Sequence, residues 1–348
     1  MLPYWKPGGT TPPNPPARAQ WTPGGTTPPN PPAERARTWF DAWVESAYGA
    51  NGFWRRHWPD EHFRTASTSS FLIAETLTAL LDRYAAGSAV IDVGAGRGQL
   101  LGALAGLRPG LRLAGIDLRP RPETLPATVE WAEDLWDVRY AGWTTGQAET
   151  LLHGQGPVCL LSCEWLDDLP CRVVHREADG WREVVVDEGG EQRPGPRLVD
   201  ADLDWADRWW PTGQRAEIGL TRDRAWSALA AAVRRRGGCA VMIDYGHGQP
   251  ERPPEGSFAA YRDGRAVEPV PSAEMNLTAH VSIDSLRAAG EAAGLTTELC
   301  CRQGEAMARL GSTAAADPDP LVELSRQSER MALSAPYGWG SHWWLVQA

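Results

Sequence analysis

Lysine is almost absent from this sequence: among 34 basic side chains Lys6 is the single lysine, and the rest are arginine. Set against 44 acidic residues they leave a formal charge of −10 and a pI near 5.3. That balance excludes the broad basic surface with which nucleic-acid-binding proteins meet phosphate, and it repels anionic lipid as well. No stretch approaches the ~18 apolar residues of a membrane span, and Met1 to Lys6 has no apolar region behind a basic start, so no signal peptide is expected. A cytoplasmic protein with neither nucleic acid nor membrane as partner is expected. Cysteine is scarce, with six residues and no CxxC pair, so a disulfide framework is not expected. The seven histidines lack HxxxH or HExxH spacing, so no metal site is expected either.

What is present is enough chain for a substantial core. The 348 residues correspond to roughly two domains, or to one large domain with an insertion. A hydrophobic content of 42% against 22% charged residues is that of a globular protein. The 18 tryptophans are an excess that calls for a location.

Residues 1–36 form a Pro/Gly-rich tail in which PGGTTPPNPPA at 7–17 recurs at 23–33, a 16-residue period. So much proline and glycine forbids helix and sheet ladders, so a disordered, partly polyproline II arm is expected. Residues 37–84 read as a helical cap, with Trp39, Trp43 and Ala47 at helical spacing and a second amphipathic run from Phe71 to Leu81. Strands then alternate with helices: Ala89–Val93, a helix over Gln99–Leu107, Leu111–Ile116 closing on Asp117, then Val158–Ser162, Cys239–Asp244, and late strands near 296–301 and 343–346. That alternation predicts a doubly wound α/β core built from residues 85–171 and 233–348. Residues 172–232 interrupt it with a hairpin and a Trp-rich stretch, an inserted region placed to cover a substrate.

The chemistry concentrates at strand ends. Asp92 precedes the turn Gly94-Ala-Gly96-Arg-Gly98, and Asp117 ends the next strand. Glycines there let the backbone approach a ligand, and ligands of open α/β sheets sit at the carboxyl ends of the strands. A dinucleotide would want GxGxxG to seat its pyrophosphate on the helix N-terminus. The GxGxG spacing found here, with an acidic side chain inside the strand, suits a cofactor with an ammonium group and no phosphate, S-adenosylmethionine. Asp117 then meets the ribose hydroxyls, and Glu133 or Asp134 the adenine amino group, unless that pair is only a solvated turn. Beyond the Val158 strand, Glu164, Asp167 and Asp168 lie where an acceptor nitrogen would be presented to the methyl group, with an ordinary surface loop as the alternative. Asp244, Tyr245, Thr278 and His280 close later segments on the same face and are expected to bind the acceptor.

These residues resemble a known family, the MidA-like methyltransferases, from about Tyr48 to the C-terminus. The resemblance is carried by Gly52-Phe-Trp54, Phe63-Arg-Thr65-Ala-Ser67, Gly94 to Gly98, Cys163-Glu164-Trp-Leu-Asp167-Asp168-Leu-Pro170 with Trp181-Arg-Glu183, Asp244-Tyr-Gly246, Leu277-Thr-Ala-His280-Val and Gln303. It implies a class I (Rossmann-like) seven-stranded methyltransferase sheet with an N-terminal helical cap and an inserted lid. It also implies S-adenosylmethionine as donor with Thr65 and Ser67 beside it, and protein arginine as acceptor. Cys163, Asn276 and Asp117 stand where the family has Asn, Asp and Glu. A guanidinium acceptor needs carboxylates that clamp it and take its proton, and Glu164 with Asp167 or Asp168 fits that need. A small-molecule or peptide methyltransferase, and a non-catalytic assembly factor on the same fold, are the alternatives. Tryptophans of the cap (39, 43, 54, 58) and insertion (181, 205, 209, 210, 226) are expected to wall the cleft or to serve as packing.

Overall fold

The computed structural model describes residues 36–58, 71–311 and 318–348. The repeated tail, Thr65 and Ser67 lie outside the described residues. Strand β1 (Arg37–Thr38) leads into α1 (Trp39–Tyr48), where Thr38 caps the helix by accepting from the Asp41 N–H at 3.1 Å. The chain continues through α2 (Phe53–Arg56), α3 (Phe71–Tyr84), β2 (Ala89–Val93), α4 (Gln99–Leu107), β3 (Leu113–Asp117) and β4 (Glu130–Glu133). A short ribbon of β5 (Trp136–Asp137) and β6 (Gly142–Trp143) and helix α5 (Gln147–Leu152) precede β7 (Val158–Cys163). Next come β8 (Arg172–Glu177), β9 (Gly180–Val186), β10 (Gln192–Arg197), α6 (Asp200–Trp209) and β11 (Arg215–Ile218), after which α7 (Leu220–Arg236) returns to β12 (Gly238–Asp244). Strands β13 (Gly246–His247), β14 (Ala259–Arg262), β15 (Arg265–Val267), β16 (Asn276–Thr278) and β17 (Val281–Ser282) lead to α8 (Ile283–Ala292). The chain closes with β18 (Thr297–Arg302), α9 (Gln303–Leu310), α10 (Pro320–Ser334) and β19 (Trp343–Gln347).

Seven strands make the central sheet in the order β18-β19-β12-β7-β2-β3-β4, parallel from β12 to β4 and antiparallel where β19 meets β12 and β18. Its strands are apolar on both faces, as a sheet covered by helices requires. Along β7, Val158 and Leu160 join the core under α7 and α8, whereas Cys159, Leu161 and Cys163 join the core under α3 and α4. The chain runs outward from β2 to β4, then crosses back to β7 on the other side of β2. The crevice beyond the carboxyl ends of β2 and β7 is therefore the switch point at which this architecture receives a ligand.

A second sheet, β1-β9-β8-β11 with β10 on the edge of β9, is entered through β8 as the chain leaves the carboxyl end of β7. Adjacent residues of β8 face opposite ways: Val173 packs with Trp39, Trp43 and Trp54, and Val174 packs with Trp181, Trp205 and Trp210. Most of the tryptophan excess in the cap and insertion is thus the filling of two small cores.

Two helices sit differently from expectation. Helix α3 lies within the expected cap, but Leu72, Leu77 and Leu80 bury against the central sheet beside α4. Helix α7 lies within the expected insertion as far as residue 232, but Ala225, Trp226, Leu229 and Val233 cover the other sheet face. In both cases the apolar stripe faces the large sheet, where it removes most area from water. No helix among the described residues is long and apolar enough to cross a membrane.

Candidate active site

The turn after β2 carries three left-handed glycines, Gly94, Gly96 and Gly98, with φ of 74°, 56° and 70°. Only a residue without Cβ adopts that backbone cheaply. At Gly94 the reason is also steric: an added Cβ would stand 2.6 Å from Cδ1 of Trp165. Asp117, at the end of β3, spans the turn by accepting from the Gly96 N–H at 2.9 Å and the Arg119 N–H at 3.0 Å. Burial raises its pKa, and Arg119 only partly offsets the effect. Arg119 in turn lies 3.5 Å from the Trp58 ring centroid, a cation–π contact at the mouth of the turn.

A cavity opens beside this turn. Gly94, Gly96, Asp117, Asp134, Glu164 and Asp168 all line it, with Tyr48, Trp54, Trp143 and Trp165 among the walls. Asp92 lies nearby, only 3% exposed, with its Oδ1 making no hydrogen bond. Burial first, and then the neighbouring Asp117 carboxylate, push Asp92 up to about 7. An orphaned acceptor of this kind, a glycine turn open to close approach and a carboxylate at the next strand end suit the ammonium and ribose of S-adenosylmethionine. The residues present fit that cofactor.

The Glu133–Asp134 pair divides. Glu133 is exposed and outside the cavity lining. Asp134 is buried and accepts from the N–H groups of Leu135, Thr145 and Ala148 at 2.9, 2.8 and 3.0 Å. Burial alone would raise its pKa, but these donors outweigh it and hold the carboxyl below its ordinary value. A donor-saturated carboxylate has little capacity left for an adenine amino group, so its fitted part is to shape the wall.

Glu164 follows β7 with φ of 49°, a left-handed conformation uncommon for a residue with a Cβ. Its N–H donates to Ile243 O at 2.9 Å, and its Oε1 lies 3.6 Å from Nε2 of the fully buried His342. Asp167 accepts from the Thr278 hydroxyl at 2.8 Å, and Asp168 is bonded by Asn276. Each of these two aspartates keeps one buried oxygen, Oδ1, with no hydrogen-bond partner. Burial raises both pKa values, and so does the negative charge each feels from its neighbours.

The expected acceptor-binding residues also separate. Asp244 is fully buried, and its carboxylate accepts from the N–H groups of Leu166, Asp167 and Tyr245. It therefore fixes the 166–167 turn instead of meeting an acceptor. Tyr245 is half-buried with its ring 4.0 Å from that of His342 and 6.0 Å from that of His280. Thr278 is half-buried on Asp167, and His280 is exposed. Cys163 is buried and its thiol is pushed up by burial, so it is no nucleophile.

Sequence reasoning missed His342 and Arg222. His342 comes from the strand end farthest along the chain, and one histidine outside any motif gives no signal. Arg222 sits in a polar Thr-Arg-Asp-Arg run that reads as a solvated helix start; in the fold, Thr221, Arg222 and Asp223 are all buried.

The sequence model of the family described as “Putative S-adenosyl-L-methionine-dependent methyltransferase” matches residues 111–301, more than half of the chain. No curated protein matches the chain. Among solved structures, a “likely methyl transferase” from Burkholderia thailandensis bound to S-adenosyl-homocysteine is similar with a TM-score of 0.71 at 21% identity, covering 90% of this chain and 88% of that one. A native structure of an uncharacterized protein from Burkholderia thailandensis gives a TM-score of 0.68 at 23% identity, covering 90% and 87%. At such identity the likeness is one of fold.

Proposed function

The chain belongs to this family of S-adenosyl-L-methionine-dependent methyltransferases, and on that premise we propose that it N-methylates an arginine side chain of a protein. The observation that carries the reading is the pair of buried, orphaned oxygens on Asp167 and Asp168 in the turn that follows β7, where Glu164 and Asp168 line the same cavity as Gly94 and Gly96. Unpaired carboxylate oxygens in low dielectric call for a cation with several N–H donors, and a guanidinium offers five in a fixed fork. S-adenosylmethionine, when bound, supplies a methyl group activated by its sulfonium.

Guanidinium is a weak nucleophile because its pKa exceeds ~12. Carboxylates that localise its charge on the far nitrogens free electron density on the one facing the methyl. As the N–C bond forms and the S–C bond breaks, that nitrogen sheds one proton, and Glu164 is placed to accept it. The rest of the acceleration is positioning, which in oriented pairs is worth about 7 to 11 kcal/mol.

The test is to incubate the protein with methyl-labelled S-adenosylmethionine and host lysate and to identify the labelled species by mass spectrometry. Methylarginine in a protein supports the proposal. Label in a small molecule, or none despite measured cofactor binding, overturns it. Glu164→Gln is expected to keep S-adenosyl-homocysteine affinity within a few-fold while abolishing transfer; loss of cofactor affinity would move Glu164 into the cofactor site.

A further inference from the structure

Arg222 is among the largest fully buried side chains, 1% exposed, in the first turn of α7. Its guanidinium makes no ion pair within 4.0 Å among the described residues and spends its donors on main-chain carbonyls. Nη2 donates to Asp167 O at 2.7 Å and Nε to Leu169 O at 3.1 Å. Nη1 donates to Ala279 O at 2.8 Å and His280 O at 3.1 Å. Beside it, Thr221 Oγ1 donates to Pro170 O at 2.8 Å. The first two carbonyls lie in the turn that follows β7, and the other two lie in the segment that follows β16.

Burying an unpaired cation costs several kcal/mol unless opposite charge lies near. The opposite charge here is the candidate site itself: Asp167, Asp168 and Asp244 each feel the Arg222 charge. One side chain thus touches the backbone of both segments and offsets the repulsion among their carboxylates. The Thr278–Asp167 hydrogen bond and the Ala279 N–H donated to Asp167 O at 3.2 Å run across the same junction.

We infer that Arg222 is a positioning residue that clamps the turn at 164–170 to the segment at 278–280, so that the two segments expected to hold the acceptor are set against each other by one guanidinium. Arg222 meets neither cofactor nor acceptor in this role; it acts through Asp167, Asp168, Thr278 and His280. The inference rests on the methyltransferase reading for its catalytic consequence, but its structural half stands alone.

The test uses the full chain with Arg222→Met and Arg222→Lys. Lysine keeps the charge and at most three donors, and methionine keeps roughly the volume alone. Three quantities are read: affinity for S-adenosyl-homocysteine by calorimetry, labelled methyl transfer from S-adenosylmethionine into the protein fraction of a host lysate, and amide hydrogen exchange. A displacement of about 1 Å at a reacting centre can cost about 100-fold. Arg222→Met is therefore expected to lower transfer by about that factor with S-adenosyl-homocysteine affinity within about threefold. Exchange should accelerate together in 164–170 and 278–282 and not in β2 or α4. Arg222→Lys should recover about tenfold of the lost rate. Unchanged exchange in the two segments, or a lysine variant no better than methionine, overturns the inference, as does cofactor affinity lost in proportion to transfer. Should the wild-type protein transfer no label, the arginine-methylation reading fails, and the exchange data still decide the clamp.

Discussion

Acidification from pH 7.5 to 5.5 should weaken S-adenosyl-homocysteine binding by roughly 25-fold, and Asp92→Asn should remove that dependence. Asp92 is buried with an unpartnered Oδ1 and is pushed up to about 7, by burial first and by the Asp117 carboxylate second. An ammonium placed against it favours the ionised form, so binding releases the proton that the empty site holds at lower pH. With a pKa near 7 about three-quarters of the carboxyl is ionised at pH 7.5 and about 3% at pH 5.5, a difference of ~2 kcal/mol in binding. The stability of the cofactor-free protein runs the other way. A carboxyl whose folded pKa is raised contributes stability that is complete below its ordinary pKa and is lost as pH rises through about 7. Titration calorimetry in two buffers of different ionisation enthalpy measures affinity and proton release together. A wild-type affinity flat across this range, or a slope that survives in Asp92→Asn, would refute the assignment of Asp92 to the ammonium.

Other outcomes follow from the same geometry. Gly94→Ala forces a left-handed alanine, about 1–2 kcal/mol, and pushes a methyl into the Trp165 ring, about 1–3 kcal/mol more; urea melts should show the loss, and calorimetry a weaker cofactor site. Asp223 is buried and raised to about 7, by burial first, against the pull of the Trp205 and Ser285 hydrogen bonds. Its pKa is raised on folding, so wild-type stability relative to Asp223→Asn should fall as the pH climbs from 4 to 7, measurable as converging or crossing urea midpoints.

Much of the framework was legible in the residues. The Ala89–Val93 strand and the Gln99–Leu107 helix have in the fold the bounds that the sequence predicts, because an apolar run between glycines and a 3.6-residue period are local signals. The grouping of elements was less legible. A hairpin and a Trp-rich stretch mark 172–232 as an insertion, yet most of helix α7 covers the central sheet, and its polar first turn is buried against carbonyls. The late histidine at 342 carried no signal at all.

The division between sequence and structure follows the range of the interactions. Glycine spacing, the acidic strand ends and the alternation of strand and helix depend on neighbours a few positions apart, and they determined a doubly wound sheet, its ligand end and the cofactor it suits. Which carboxylates remain unpaired depends on donors that arrive from far along the chain. Tertiary packing alone decided that Asp134 and Asp244 are saturated by backbone N–H groups while Asp92, Asp167 and Asp168 each keep an orphaned oxygen. It also decided that an arginine some 55 residues from Asp167 in sequence ties the two halves of the site together. A side chain's chemistry is written in its residue type, but its spare capacity is set by the company the fold gives it.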